Sequence, residues 1–164
     1  MRDNEHDWLM PALSLMLALT LAVVPLPGLI VAFRPDWVVI VLLYWSLISP
    51  RRYGLLTAFW MGLALDTLSG ALLGQHALAL LLVVYLSQHF HLRIRAFPVS
   101  QIALSVMGLL SVYEFELFWI DGIVGRTVPL IERWAPVISG TIVWVIILAF
   151  VDRGSQQAGA RIQI

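Results

Sequence analysis

The chain has 164 residues, of which 60% are hydrophobic and only 12% are charged, and its formal net charge is zero. This balance is far from that of a soluble globular domain and predicts an integral membrane protein. The length fits one transmembrane domain over residues 1–164. Zero net charge gives no basic surface for nucleic acid, and the lack of cysteine excludes disulfides, thiolate nucleophiles and cysteine-ligated metals.

Six apolar runs predict membrane-spanning helices. In chain order they cover residues 8–24, 37–49, 53–66, 71–87, 99–120 and 135–151. The first run lacks the basic flank and small-residue cleavage site of a signal peptide, so we expect it to be a retained helix. The second and third runs are short, because about 13 residues rise about 20 Å against a hydrocarbon core of about 30 Å. A five-span or re-entrant arrangement therefore remains an alternative.

The arginines predict the orientation of these spans. With a cytoplasmic N-terminus, seven arginines fall on the cytoplasmic side and three on the outer side, as expected for short loops. The cytoplasmic set is Arg2, Arg51, Arg52, Arg93, Arg95, Arg153 and Arg161, and the outer set is Arg34, Arg126 and Arg133. Tryptophans at span edges support the same boundaries; they are Trp8, Trp37, Trp119 and Trp134. The pattern predicts six spans with both termini in the cytoplasm.

Every fourth residue from the start of the third run to the start of the fourth is small, except for one acid. The positions are Gly54, Ala58, Gly62, Asp66, Gly70 and Gly74. Small residues let helix backbones approach closely in lipid, where helices have no hydrophobic drive to associate. The stripe has two interpretations: packing between spans of this chain, or a groove for a partner helix.

Asp66 is an acid at the end of an apolar run. A carboxylate in hydrocarbon costs at least about 3 kcal/mol, so it must face protein, an arginine or water. One interpretation is a cap, in which Asp66, Thr67 or Ser69 accepts the free N–H groups of the fourth helix in a turn opened by Gly70. The other is a functional pocket or a partner contact.

The stretch "RPDW", residues 34–37, has the pattern of a helix start. Pro35 suits the first turn, Asp36 places an anion at the positive end of the helix dipole, and Trp37 is typical of the membrane interface. Arg34 and Asp66 both lie toward the outer side in this topology. An ion pair between them is therefore geometrically possible.

Two acids in the fifth run, Glu114 and Glu116, cannot act together on one substrate. Two residues apart on a helix, they point about 200° from each other. Glu114 is the deeper and the better candidate for a functional role, with packing as the alternative.

The histidines predict no metal site. His76 begins the fourth run, where we expect a hydrogen bond to a neighbouring helix. His89 and His91, beside Arg93 and Arg95, predict a solvated cytoplasmic loop attracted to anionic lipid.

Catalytic signatures are missing from the sequence. It contains no HExxH, GxSxG, Walker or GxGxxG motif. "GLALD" is faintly similar to the GxGD of intramembrane aspartyl proteases, but Ala64 replaces the second glycine. We therefore predict no enzymatic activity and no cofactor.

A segment of about 53 residues from Arg34 carries the motifs RPD, YW, P-x-x-x-G, then GL-x-x-D-x-L-x-G-x-x-LG-x-x-AL and an aromatic-Leu. They fall on Arg34-Pro35-Asp36, Tyr44-Trp45, Pro50 and Gly54, Gly62-Leu63, Asp66, Leu68, Gly70, Leu73-Gly74, Ala77-Leu78 and Tyr85-Leu86. In this pattern the segment resembles the MreD family of rod shape-determining membrane proteins. Phe59-Trp60-Met61 departs from it, with bulky residues where a glycine is common.

The resemblance implies an all-α, six-helix bundle in the bacterial inner membrane, similar to the substrate-binding components of energy-coupling-factor transporters. The implied role is in the cell-elongation complex, with MreC, the MreB filament, RodA and a class B penicillin-binding protein as partners. Whether the protein forms a homodimer is left open. Two functions follow: a scaffold that binds a partner helix, or a transporter subunit that holds a small molecule with Asp66, Glu114 and Arg34.

Overall fold

A computed structural model of the protein describes residues 8–25 and 28–160, and this part of the chain is all-helical. The elements are α1 (Leu9–Val23), a 3₁₀-helix (Gly28–Phe33), α2 (Trp37–Ile48), α3 (Leu55–Ser69), α4 (Gln75–His89), α5 (His91–Ala96), α6 (Val99–Val124) and α7 (Leu130–Ala160). Each predicted apolar run lies largely within one helix. The last two helices are longer than predicted.

The short helix α5 corrects one prediction. The stretch around His91 was expected to be a solvated loop, but it forms a helical turn whose Ile94 is buried against the core. The helix ends at Phe97, which is extended because it precedes Pro98, and proline disfavours helical geometry in the residue before it.

Three segments of the described chain are long and apolar enough to cross a membrane. They are Val31–Ile48, Val99–Val124 and Leu130–Phe150. The helices α1 and α3 are apolar but have 15 residues each, which gives a rise of about 22 Å. These lengths support a helical membrane protein.

The core is built around α2. Its buried side chains point in every direction, as expected for a helix that is apolar all round, and it contacts α1, α4 and α7. The outer surface is apolar as well: Met10, Leu56 and Ile123 are each about three-quarters exposed or more, at 74%, 75% and 80%. Such a surface suits contact with lipid rather than with water.

The helices α3 and α4 form a closely packed hairpin. A Cβ atom added to Gly62 would lie 2.2 Å from the Ala77 Cα and 2.6 Å from its backbone nitrogen, so the two backbones touch there. Gly70 ends α3 and Gly74 begins α4 with φ of 65° and 98°, a left-handed geometry that favours glycine. The small-residue stripe is thus an internal packing surface, and Gly62 is not free to contact a partner.

Other residues that the sequence analysis singled out join helices away from the turn between α3 and α4. The Trp45 Nε1 donates to the Ser14 Oγ at 2.8 Å and ties α2 to α1. Gln88 at the end of α4 donates to the Pro50 carbonyl at 2.8 Å, and the same side chain packs on Gly54.

Candidate functional site

Polar side chains gather where α3 and α6 end and where α2, α4 and α7 begin, which we call the polar end. The polar cluster there consists of Asp36, Asp66, Gln75, His76, Glu114, Asp121 and Arg133. Five of these seven side chains are buried. Polar groups buried in a membrane protein must find partners in the protein, so the contacts of each one matter.

Asp66 accepts three hydrogen bonds from the start of α4. Its Oδ2 accepts from the Gly74 backbone N–H at 2.8 Å, and its Oδ1 accepts from the His76 backbone N–H at 2.9 Å. The same Oδ1 lies 2.7 Å from the His76 Nδ1. A helix start leaves free N–H groups and a partial positive charge, and Asp66 satisfies both from the preceding helix. These are the contacts of a cap.

Thr67 and Ser69 do not share this role. The Thr67 hydroxyl donates to the Ala64 carbonyl at 2.8 Å, and the Ser69 hydroxyl donates to the Leu65 carbonyl at 2.6 Å, so both bond within α3. Of the three candidates for the cap, Asp66 alone reaches α4. It does so because Gly70 turns the chain back immediately after α3.

Arg133 joins the second half of α6 to the starts of α4 and α7. Its guanidinium donates to Glu114 at 3.3 Å and to Asp121, and Asp121 accepts from the Gln75 Nε2 at 3.0 Å. All four side chains are at least nine-tenths buried. The network links α4, α6 and α7 and gives each of the two carboxyl groups a cationic partner.

Asp36 lies next to this network. It is the residue before α2, and its side chain lines a cavity together with His76 and Tyr113. Its side chain does not cap α2, although its position at the positive end of the helix dipole is as predicted. Pro35 lies before Asp36 and therefore outside the helix rather than in its first turn.

The ion pair that the sequence permits between Arg34 and Asp66 is not formed in the structure. The Arg34 guanidinium donates to the Val24 carbonyl at 3.3 Å, while the Asp66 carboxyl group is turned toward α4. The physical reason is that the free N–H groups at the start of α4 offer Asp66 several donors at short range.

A small cavity opens at the polar end. Its volume is about 110 Å³, and its polar lining consists of Arg34, Asp36, Ser69, His76 and Tyr113. Sites for small organic ligands have volumes of about 300 Å³ or more. This cavity holds a few water molecules or one side chain, rather than a vitamin-sized solute.

A larger groove lies beside it. Its volume is about 570 Å³, and its lining is almost entirely apolar, consisting of Met16, Leu19, Thr20, Val23, Val24, Pro25 and Leu68. The groove is open and runs between α1 and the end of α3. It offers surface to hydrocarbon or to an apolar helix and almost no polar group to a solute.

The structure brings together five of the predicted residues, which are Arg34, Asp36, Asp66, His76 and Glu114. Gly70 and Gly74 form the adjoining turn, whereas Trp45, Pro50, Gly54 and Gly62 lie elsewhere. Sequence reasoning missed Gln75, Asp121 and Arg133. One signal was available: Asp121 follows Glu114 by seven residues, which is two turns on one helix face.

The described residues hold no group of three side chains suited to a metal ion. The fold and the cluster together define a class: a helical membrane protein whose buried polar groups form hydrogen bonds between its own helices.

The comparisons give the family. Residues 3–153 match the family model described as rod shape-determining protein MreD, and the chain therefore belongs to the MreD family. It is similar to the rod shape-determining protein MreD of Haemophilus influenzae, with 29% identity over 106 residues, or 65% of each chain. The match thus spans just under two thirds of that relative's length. No solved structure matches the chain, so similarity to energy-coupling-factor components stays a prediction.

Proposed function

We propose that the protein is a non-enzymatic scaffold of the cell-elongation complex in the bacterial inner membrane. Membership of the MreD family supports a role in rod shape. The proposed scaffold links the MreB filament and MreC to peptidoglycan synthesis by RodA and a class B penicillin-binding protein. It is a single domain with six spans and both termini in the cytoplasm.

The observation that carries the scaffold proposal is the use made of the buried polar groups. Asp66, Glu114 and Arg133 each bond to another helix of the same chain. A transporter subunit would instead direct such groups into a cavity large enough for its solute. The polar cavity of about 110 Å³ is too small for that use.

The partner helix needs a surface other than the small-residue stripe, because Gly62 is buried against Ala77. We assign it to the apolar groove between α1 and α3, which is open along its length. A single membrane-spanning segment such as that of MreC presents apolar side chains, and a groove of this lining can contact them without burying an unpaired polar group.

Depletion of the protein in its own host, followed by light microscopy, tests the function. We expect rod-shaped cells to become round as the protein is lost, and expression of the unaltered chain to restore the rods. Unchanged shape together with a new vitamin requirement would contradict the scaffold and favour the transporter subunit.

Co-purification from membranes tests the groove. Leu68→Trp fills the groove from an exposed position, and we expect it to reduce recovery of MreC with the tagged protein. Ile142→Trp adds the same bulk at an exposed position on α7 and serves as the matched control. Equal recovery of MreC with both variants would place the partner on another face.

A further inference from the structure

A second cavity lies at the end of the molecule opposite the polar cluster. Its volume is about 150 Å³, and it is enclosed by α2, α5, α6 and α7. The lining is aromatic and aliphatic throughout, consisting of Tyr44, Leu47, Ile48, Ile94, Ile102, Trp144 and Leu148. Since no charged group enters it, this cavity suits a hydrocarbon chain.

Two arginines lie near the point where this cavity opens to the surface. Ile48 also lines a neighbouring recess of about 330 Å³ whose other walls are Ser49, Pro50, Arg51 and Arg52. Both arginines are exposed, and within the described part of the chain neither forms an ion pair. Arg93, next to Ile94 on α5, is exposed as well.

The described acidic side chains are concentrated at one end of the molecule. The acidic side chains that the structure describes lie toward the polar end, in the 3₁₀-to-α2 connection, the end of α3, the second half of α6 and the start of α7. Arg51 and Arg52 lie at the opposite end of the molecule, between α2 and α3. The recess is therefore complementary to an anion.

We infer that this end of the molecule binds an anionic phospholipid, with a short segment of one acyl chain in the apolar cavity and the phosphate against Arg51 and Arg52. Guanidinium groups bind phosphate oxygens in a bidentate manner, and basic pockets between membrane helices hold anionic headgroups. The positive-inside rule accounts for arginines at this end, but it does not account for an apolar cavity that leads from them between four helices. The proposed topology places the lipid in the cytoplasmic leaflet, although the binding itself does not depend on it.

Native mass spectrometry of the purified full chain in detergent tests the inference. Phosphatidylglycerol and phosphatidylcholine with identical acyl chains are added in equal amounts, and the bound lipid is counted as detergent is removed. We expect preferential retention of phosphatidylglycerol. The double variant R51Q/R52Q should bring its retention down to that of phosphatidylcholine, with a loss of about fivefold for each arginine.

Matched variants separate the headgroup from the chain. Arg126→Gln removes an exposed arginine at the polar end and should leave retention unchanged. Ile102→Trp fills the cavity and should also abolish the preference, whereas Ile142→Trp, outside the cavity, should not. If Ile102→Trp does not fold, the arginine variants decide the result.

Three results would overturn the inference. The first is equal retention of the two lipids by the unaltered protein. The second is a preference that survives R51Q/R52Q, since the phosphate would then bind elsewhere. The third is a preference lost with the arginines but kept in folded Ile102→Trp, which would remove the acyl chain from the cavity.

Discussion

Asp66 shows how one carboxyl group becomes acceptable in an apolar chain. It is 1% exposed, yet it receives two backbone N–H groups and the His76 side chain. Measured hydrogen bonds between membrane helices average about 0.6 kcal/mol each, so these three together contribute about 2 kcal/mol. Without this contact, the Asp66 carboxyl group and the backbone N–H groups at the start of α4 would all lack hydrogen-bond partners.

We expect Asp66→Ala to lower the free energy of unfolding by about 2 kcal/mol, because it leaves the start of α4 without its acceptor. Unfolding of the purified protein in mixed micelles with increasing dodecyl sulfate measures this. Thr67→Ala is the control, since its exposed hydroxyl bonds only within α3. An equal effect of the two variants would contradict the cap.

Arg133 carries a second prediction at the same scale. Arg133→Gln leaves Glu114 and Asp121 buried without their cation, and we expect a loss of about 3–5 kcal/mol. Adding Glu114→Gln and Asp121→Asn to that variant should recover part of the loss, because the buried charges are then removed together. The same unfolding assay measures both proteins, with Arg126→Gln as a solvent-exposed control. A triple variant no more stable than Arg133→Gln alone would argue against a charge network.

At the residue scale, the sequence predicted which acidic side chain is buried, but it did not predict the residues to which that side chain bonds. The 200° between Glu114 and Glu116 indicated that only one would face the interior, and Glu114 is buried while Glu116 is half-buried. Arg133 could not be found, because the last apolar run was predicted from residue 135 and α7 begins at Leu130. The five extra residues of helix, 130–134, moved an arginine from a loop into the core.

At the scale of elements, the hairpin of α3 and α4 depends on one missing side chain. Gly62→Ala places a Cβ atom inside the Ala77 backbone, and backbone cannot move aside as the end of a side chain can. We expect this variant to fail to accumulate as folded protein, as measured by gel filtration in detergent.

Gly108→Ala is the matched control for Gly62→Ala. Both glycines lie within helices, but a Cβ atom on Gly108 would meet nothing within 4 Å. We therefore expect Gly108→Ala to be neutral or to stabilise by about 0.5–1 kcal/mol. Similar behaviour of the two variants would show that helix propensity, rather than close packing, determines the outcome at Gly62.

The stripe also shows where sequence periodicity stops being informative. The four-residue step identified the surface that packs closely, and both of its interpretations use the same small residues. Only the three-dimensional position of Ala77 decides between them. The sequence therefore predicted a contact surface without predicting what covers it.

At the scale of the molecule, each predicted apolar run lies largely within one helix, because hydrophobic length is a strong signal in membrane chains. The helix α5 was not predicted, since six residues that include one histidine and two arginines carry no such signal. Burial of Ile94 by tertiary contacts stabilises it.

The absence of cysteine makes the proposed topology directly testable. Single cysteines at Leu73 and Thr127 should react with a membrane-impermeant maleimide in spheroplasts that retain an intact inner membrane. Cysteines at Arg52 and Leu92 should react only after lysis. All four positions are exposed in the structure. Labelling at Arg52 in intact spheroplasts would contradict six spans with cytoplasmic termini.

The hydrogen bonds between Asp66 and the start of α4 also have a consequence for how the chain enters the bilayer. Released alone, α3 would carry an unpaired carboxyl group into hydrocarbon, and α4 would arrive with free N–H groups at its start. The helix α3 supplies the acceptor, Asp66, and α4 supplies the N–H donors. The turn between Gly70 and Gly74 keeps the two groups within hydrogen-bonding distance. We therefore expect α3 and α4 to leave the translocon as a pair, so that biogenesis proceeds by hairpins rather than by single helices.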